Sequence, residues 1–158
     1  MVMNKTELFD AKLRFQIPEG FKQVPDEEIA HYYPAKQPDI LFENKENGAL
    51  IAVAKLENEL AADALEARIQ EYAAVYQRSV PNFANCKIGK RTLPNGKQLG
   101  MFYYTSTTAQ RDLLNYVVLS SLDGKEIMLT LHCNCKDCPA YAEKLMRTIN
   151  SVEIHDAG

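Results

Sequence analysis

Three Asx-Gly pairs, Asn47-Gly48, Asn95-Gly96 and Asp123-Gly124, each separate two strand-like runs. Such a pair is the strongest short-range hairpin signal, because the turn needs residues that accept positive φ. A tight hairpin forces its two strands to run antiparallel, so three of them commit the chain to a largely antiparallel sheet. The paired runs are Ile40 to Asn44 with Ala49 to Leu56, Cys86 to Leu93 with Lys97 to Thr107, and Tyr116 to Leu122 with Ile127 to Cys133.

Two of these runs are apolar on both faces. Leu50, Ala52, Ala54 and Leu56 alternate with Ile51 and Val53, and Leu99, Met101 and Tyr103 alternate with Gly100, Phe102 and Tyr104. A strand with two apolar faces must be covered on both sides. Two helical stripes supply the cover. Leu65, Ile69, Tyr72 and Tyr76 recur at the helical period and predict a helix over Leu60 to Gln77, stopped by Pro81. Its two tyrosines are expected to pack on the sheet rather than line a groove. Tyr141, Leu145 and Ile149 predict a second helix over Pro139 to Asn150. Upstream, Leu13, Phe15 and Ile17 alternate with Lys12, Arg14 and Gln16 in a half-buried strand. Pro25-Asp26-Glu27-Glu28 opens a short helix, with proline and acidic residues suited to a first turn. The fold class is therefore α+β: an α/β/α sandwich with a largely antiparallel sheet flanked by helices. Its 158 residues form a single domain, 1–158.

The segment Phe15-Gln16-Ile17-Pro18-Glu19-Gly20-Phe21 resembles the opening of PsbP-like and Mog-type domains, and the order of elements and the ending Ile149-Asn150-Ser151-Val152 are similar too. The resemblance implies an α/β/α sandwich over nearly the whole chain. It also implies a non-enzymatic role, since members of that group dock on a photosystem or a Ran-type GTPase. No functional residue of those relatives maps onto a position here.

Net charge is −3 and no Lys/Arg cluster occurs, which argues against a nucleic-acid partner. No run approaches the ~20 apolar residues of a membrane span. Met1 to Asp10 lacks the apolar stretch of a signal peptide, so the expectation, with Met1 as the natural start, is a cytoplasmic protein.

One spacing carries unusual chemistry: Cys133-x-Cys135-x-x-Cys138, just before the last helix. A helix N-terminus lowers a thiol pKa and favours the thiolate that redox exchange and metal binding need. Three thiolates with a fourth ligand, Cys86 or His132, suit zinc. A strong zinc site has a second cysteine pair, and thioredoxin-type cycling expects a βαβ context; both are missing. Cys133 continues the inward series Ile127, Leu129, Leu131, so it is expected to be buried, with Cys135 and Cys138 at the helix start and partly exposed. A Cys135–His31 pair is a further arrangement that sequence spacing leaves open. No nucleophile elbow, HExxH or phosphate-loop motif occurs. The reading is a non-enzymatic interaction or accessory module without a cofactor, docking on a protein through Tyr33 to Asp39 and Thr108 to Asn115, loops on a rigid scaffold. The alternative is a thiol or zinc-binding protein using Cys133, Cys135 and Cys138.

Overall fold

All three predicted hairpins form. In the computed structural model, which describes residues 3–107, 112–134 and 140–157, Asp123 and Gly124 both adopt positive φ (52° and 83°), the type I′ requirement for a two-residue hairpin. At the other two turns only Gly48 and Gly96 do so, within longer connections.

Among the described residues the strands are β1 (Met3–Leu8), β2 (Leu13–Pro18), β3 (Phe21–Gln23), β4 (Ile40–Asn44), β5 (Ala49–Glu59), β6 (Ala84–Thr92), β7 (Gln98–Thr107), β8 (Asp112–Leu122), β9 (Lys125–Asn134) and β10 (Glu153–Ile154). The helices are α1 (Ile29–Tyr32), α2 (Leu65–Ser79) and α3 (Ala140–Asn150). A seven-stranded sheet has the order β3-β4-β5-β9-β8-β7-β6, and β1-β2-β10 form a second, smaller sheet. Every pairing is antiparallel.

The large sheet is covered on both faces, as its doubly apolar strands require. On one face α3 and the small sheet bury Leu13, Phe15, Leu145 and Ile149 against Ile51, Val53, Ile127, Leu129 and Leu131. On the other, Leu65, Ile69 and Ala73 of α2 pack on Phe102, Tyr104, Val117 and Leu119. Ile29 of α1 and Val24 cover Leu41, Leu50 and Ala52 at the far side of that face. The molecule is thus the expected α+β sandwich, with a small sheet sharing one of its outer layers with α3.

The structure departs from the sequence reading at several elements: α2 begins at Leu65 rather than Leu60, and Phe21–Gln23 form a strand by pairing with β4. β1 and β10 exist only through their pairing with β2, a tertiary contact that local pattern does not announce. The contact loop expected over Thr108 to Asn115 is shorter: Asp112 to Asn115 already belong to β8, held between β7 and β9. Residues 108–111 lie outside the described residues.

The β1–β2 connection is strained. Phe9, Asp10 and Ala11 have φ of 55°, 57° and 63° in succession. Left-handed backbone costs roughly 1–2 kcal/mol per residue in a non-glycine chain, and only aspartate among these three tolerates it readily.

A clasp ties the chain's last described residues to two hairpins. Lys97 Nζ donates to both Asp156 oxygens (2.6 and 2.7 Å), Lys12 Nζ donates to Asp123 (2.7 Å), and the Asp123 N–H donates to Asp156 (2.9 Å). The Ala157 N–H and the Lys12 ammonium hold the Asp123 carboxyl below its ordinary value, and Lys97 does the same for Asp156. A depressed folded-state pKa contributes stability above the unfolded value, about 3.9, and loses it as pH falls through the folded value. Asp156→Asn is therefore expected to flatten the acid limb of stability against pH below about pH 4, read as urea midpoints. An unchanged acid limb would show that the clasp does not carry it.

Candidate functional site

α2 lies over β6, β7 and β8. It can sit this close because Gly100 of β7 lies beneath it: a Cβ there would be 3.2 Å from Ile69 Cβ. The segment 33–39 lies on the far side, over β5. It is anchored at Asp39, which accepts the Lys55 N–H at 2.6 Å while donating its own N–H to Val53, and at its other end Tyr33 lies in the same cleft as Thr130. Between the two runs a cleft of about 430 Å³, within the usual range for ligand and anchor pockets.

The floor of the cleft is Ala52 and Ala54 of β5 with Met128 and Thr130 of β9. Alanine on a sheet face leaves room that a leucine would fill, and the sequence places two in succession on that face. The walls are Tyr33 on one side and Tyr72, Val75 and Tyr76 on the other, with Lys36 and Gln37 at the lip. Val75 is 46% exposed, one of the few large apolar side chains so placed among the described residues. Tyr76 also packs edge-on against Phe102 (5.4 Å) and Tyr104 (6.0 Å). Burial raises the phenol pKa of Tyr33, Tyr76 and Tyr104, so all three stay protonated hydrogen-bonding groups at neutral pH. The two α2 tyrosines thus do both things the sequence reading set against each other: they pack on the sheet and they line the groove.

Beyond Tyr72 and Val75 the cleft continues into a second hollow of about 450 Å³ along the flank of α2. At its base lies Glu126 of β9, whose side chain is 0% exposed. Its carboxylate accepts Tyr72 Oη on both oxygens (2.8 and 3.0 Å), Arg68 Nη1 (2.9 Å) and Asn58 Nδ2 (3.2 Å). Arg68 and Tyr72 are one helical turn apart, which places both over the same carboxylate. Burial first, then the Glu126 hydrogen bond, pushes the Tyr72 phenol up to about 12. A buried carboxylate is tolerated only when paired and hydrogen-bonded, and this one is. The cluster fastens α2 to β5 and β9 and so fixes one wall of the cleft. Nothing in the sequence singled out Glu126: an acidic residue directly ahead of the apolar run Ile127-Met128-Leu129 is the signal that could have found it.

The cysteine motif is divided. Cys133 is buried among Leu131, Tyr141 and the rest of the α3-side core, as the phase of Leu129 and Leu131 predicts. Cys135 and Cys138 lie outside the described residues, and with them the Cys135–His31 pairing. The two candidate fourth ligands are placed away from Cys133. β9 remains a strand through Asn134, so His132 points to the opposite face, in register with Leu50 and Asn115. Cys86 sits on the edge strand β6, three strands or roughly 14 Å from β9, with Tyr104 among its neighbours. Neither side chain reaches a metal held by Cys133. Among the described residues no three His, Cys, Asp or Glu side chains are arranged to hold a metal ion. Nor is any helix among them long and apolar enough to cross a membrane.

The architecture is shared with solved structures. Cyanobacterial PsbP (CyanoP) from Synechocystis sp. PCC 6803 superposes with a TM-score of 0.60 at 13% identity, over 97% of this chain and 92% of that one. LpqN of Mycobacterium tuberculosis, a protein involved in cell envelope biogenesis, superposes with a TM-score of 0.61 at 10% identity, over 98% and 91%. No family model and no curated protein matches the sequence. At these identities the likeness is one of fold, and it is to PsbP; the Mog-type half of the resemblance rests on the sequence motif alone. The chain has the PsbP-like fold that its Phe15 to Phe21 opening implies.

Proposed function

We propose that the protein is a non-catalytic accessory module that binds another protein in the cleft between α2 and the segment 33–39. The observation that carries this reading is the cleft floored by Ala52, which is buried, and Ala54, which is half-buried, and walled by Tyr33, Tyr72, Val75 and Tyr76. Tyrosines around a small apolar floor are the composition of binding hot spots, where a partner's anchor side chain is desolvated. Segment 33–39, expected from sequence to be a contact loop, is one lip of the cleft. The ionisable cluster beside it supports binding over catalysis: the groups on Glu126 are turned onto one another rather than into the hollow. The PsbP-like fold is consistent with an accessory role, although function resides in sites rather than folds. The envelope role belongs to LpqN.

The test fills the cleft. Ala54→Phe places a ring on its floor, and Glu66→Ala, on the exposed side of α2, serves as control. Affinity capture from the native host is expected to retain a protein with the wild type and the control and to lose that same protein with Ala54→Phe. Capture that survives Ala54→Phe but fails when Cys135 and Cys138 become serine moves the function to the thiol or zinc alternative. A protein retained equally by every variant ends the cleft proposal.

A further inference from the structure

We propose that β1 exchanges between two copies of this chain, giving a domain-swapped dimer joined at the Phe9–Ala11 hinge. The argument starts from that hinge. Three consecutive non-glycine residues in left-handed backbone form a high-energy turn, and it exists only because β1 folds back on its own β2. β1 is the outer strand of the small sheet and pairs with β2 alone, over six residue pairs from Met3↔Pro18 to Leu8↔Leu13.

Opening the hinge lets the chain run extended from Met3 to Pro18, with φ at residues 9 to 11 returned to the ordinary region. β1 of one copy then lies on β2 of the other in the same antiparallel register. Every β1–β2 contact is remade across the two chains, and the pair closes on a two-fold axis, so assembly stops at two. What is given up is local to the hinge: the turn bond from the Lys12 N–H to Phe9 O (3.1 Å) and the seat of Phe9, whose ring packs on the core with Lys55 Nζ 5.0 Å from its centre. Strain is released in both hinges, while the entropy of association is lost once. Short strained hinges favour exchange for this reason.

The closing experiment uses two variants of the full chain that each add one cysteine, Lys5→Cys and Gln16→Cys, which are cross-strand partners, in a background where Cys86, Cys135 and Cys138 are serine and only the buried Cys133 is kept. The two are mixed at high concentration, oxidised, and compared with each variant oxidised alone. A covalent heterodimer formed only in the mixture is the expected result, since the two new cysteines meet only when β1 lies on another copy's β2. Light scattering on the otherwise unaltered chain should show a concentration-dependent dimer. Ala11→Gly, which relieves the turn without opening it, should raise the dimer dissociation constant on the order of thirty-fold, because both hinges contribute. Monomer mass at all concentrations overturns the proposal. So does a dimer that yields no heterodimer-specific cross-link, or one that Ala11→Gly leaves unchanged.

Discussion

Replacing Arg68 by alanine is expected to lower the stability of this protein by about 3 kcal/mol, the lower end of what removing one partner of a buried pair costs. The loss comes less from the attraction than from what remains: a Glu126 carboxylate with no exposed surface and no cation. Tyr72 and Asn58 still donate to it, and Arg68 itself is 27% exposed, so the upper end of that range is not reached. Tyr72→Phe removes the hydroxyl that bridges both carboxylate oxygens. It should cost roughly 1.5–3 kcal/mol, the range for a hydrogen bond to a charged group. Arg68→Met with Glu126→Leu removes both charges together and should be milder than Arg68→Ala alone. Urea denaturation with an unchanged slope measures all three. If the double replacement is the worst of the set, the pair contributes real attraction rather than mutual neutralisation. Because Arg68 and Tyr72 also fix the wall that carries Val75, the single variants should weaken partner capture as well.

Those residues show where sequence reading stops. The hairpins were legible because an Asx-Gly turn is a local requirement, met by the two or three residues at its tip. The helices were legible because Leu65, Ile69 and Tyr72, or Tyr141, Leu145 and Ile149, repeat within one element. The resemblance was legible for the same reason: its opening, Phe15 to Phe21, is one contiguous stretch. Glu126 and its donors come from β5, α2 and β9, as far apart as 68 positions in the chain. Local pattern cannot assemble such a set. The cleft was half legible: Ala52 and Ala54 were visible as part of an apolar strand face, and 33–39 as a loop, but their juxtaposition depends on where α2 lands. The candidate zinc ligands Cys86 and His132 are set apart from Cys133 for a geometrical reason. One lies on another strand edge, and the other has the alternate phase of the same strand.

Where α2 lands is decided by Ile69 over Gly100, and Ile69→Ala should be among the most damaging single changes in this half of the protein. Ile69 is 1% exposed and packs in the cluster that joins α2 to β7 and β8. Large-to-small changes at such sites cost about 2–5 kcal/mol, more where the surroundings cannot relax into the cavity. Here they cannot relax easily, because the residue opposite has no side chain to move in and the Glu126 cluster holds the helix at Arg68 and Tyr72, on either side of residue 69. About 3–4 kcal/mol is expected, seen as a shifted urea midpoint with unchanged slope. The reverse change tests the same contact. Gly100→Ala places a methyl group 3.2 Å from Ile69 Cβ and 3.4 Å from Leu65 Cδ1, so α2 must lift by a few tenths of an ångström. Overpacking of this kind costs about 1–3 kcal/mol. The two changes should not rescue each other, because alanine at 69 keeps the Cβ that lies closest to residue 100. A double variant as stable as Ile69→Ala alone would mean that α2 rests on β7 through other contacts. A double variant less stable than either single one places the helix, and with it the wall of the cleft, on this one close approach.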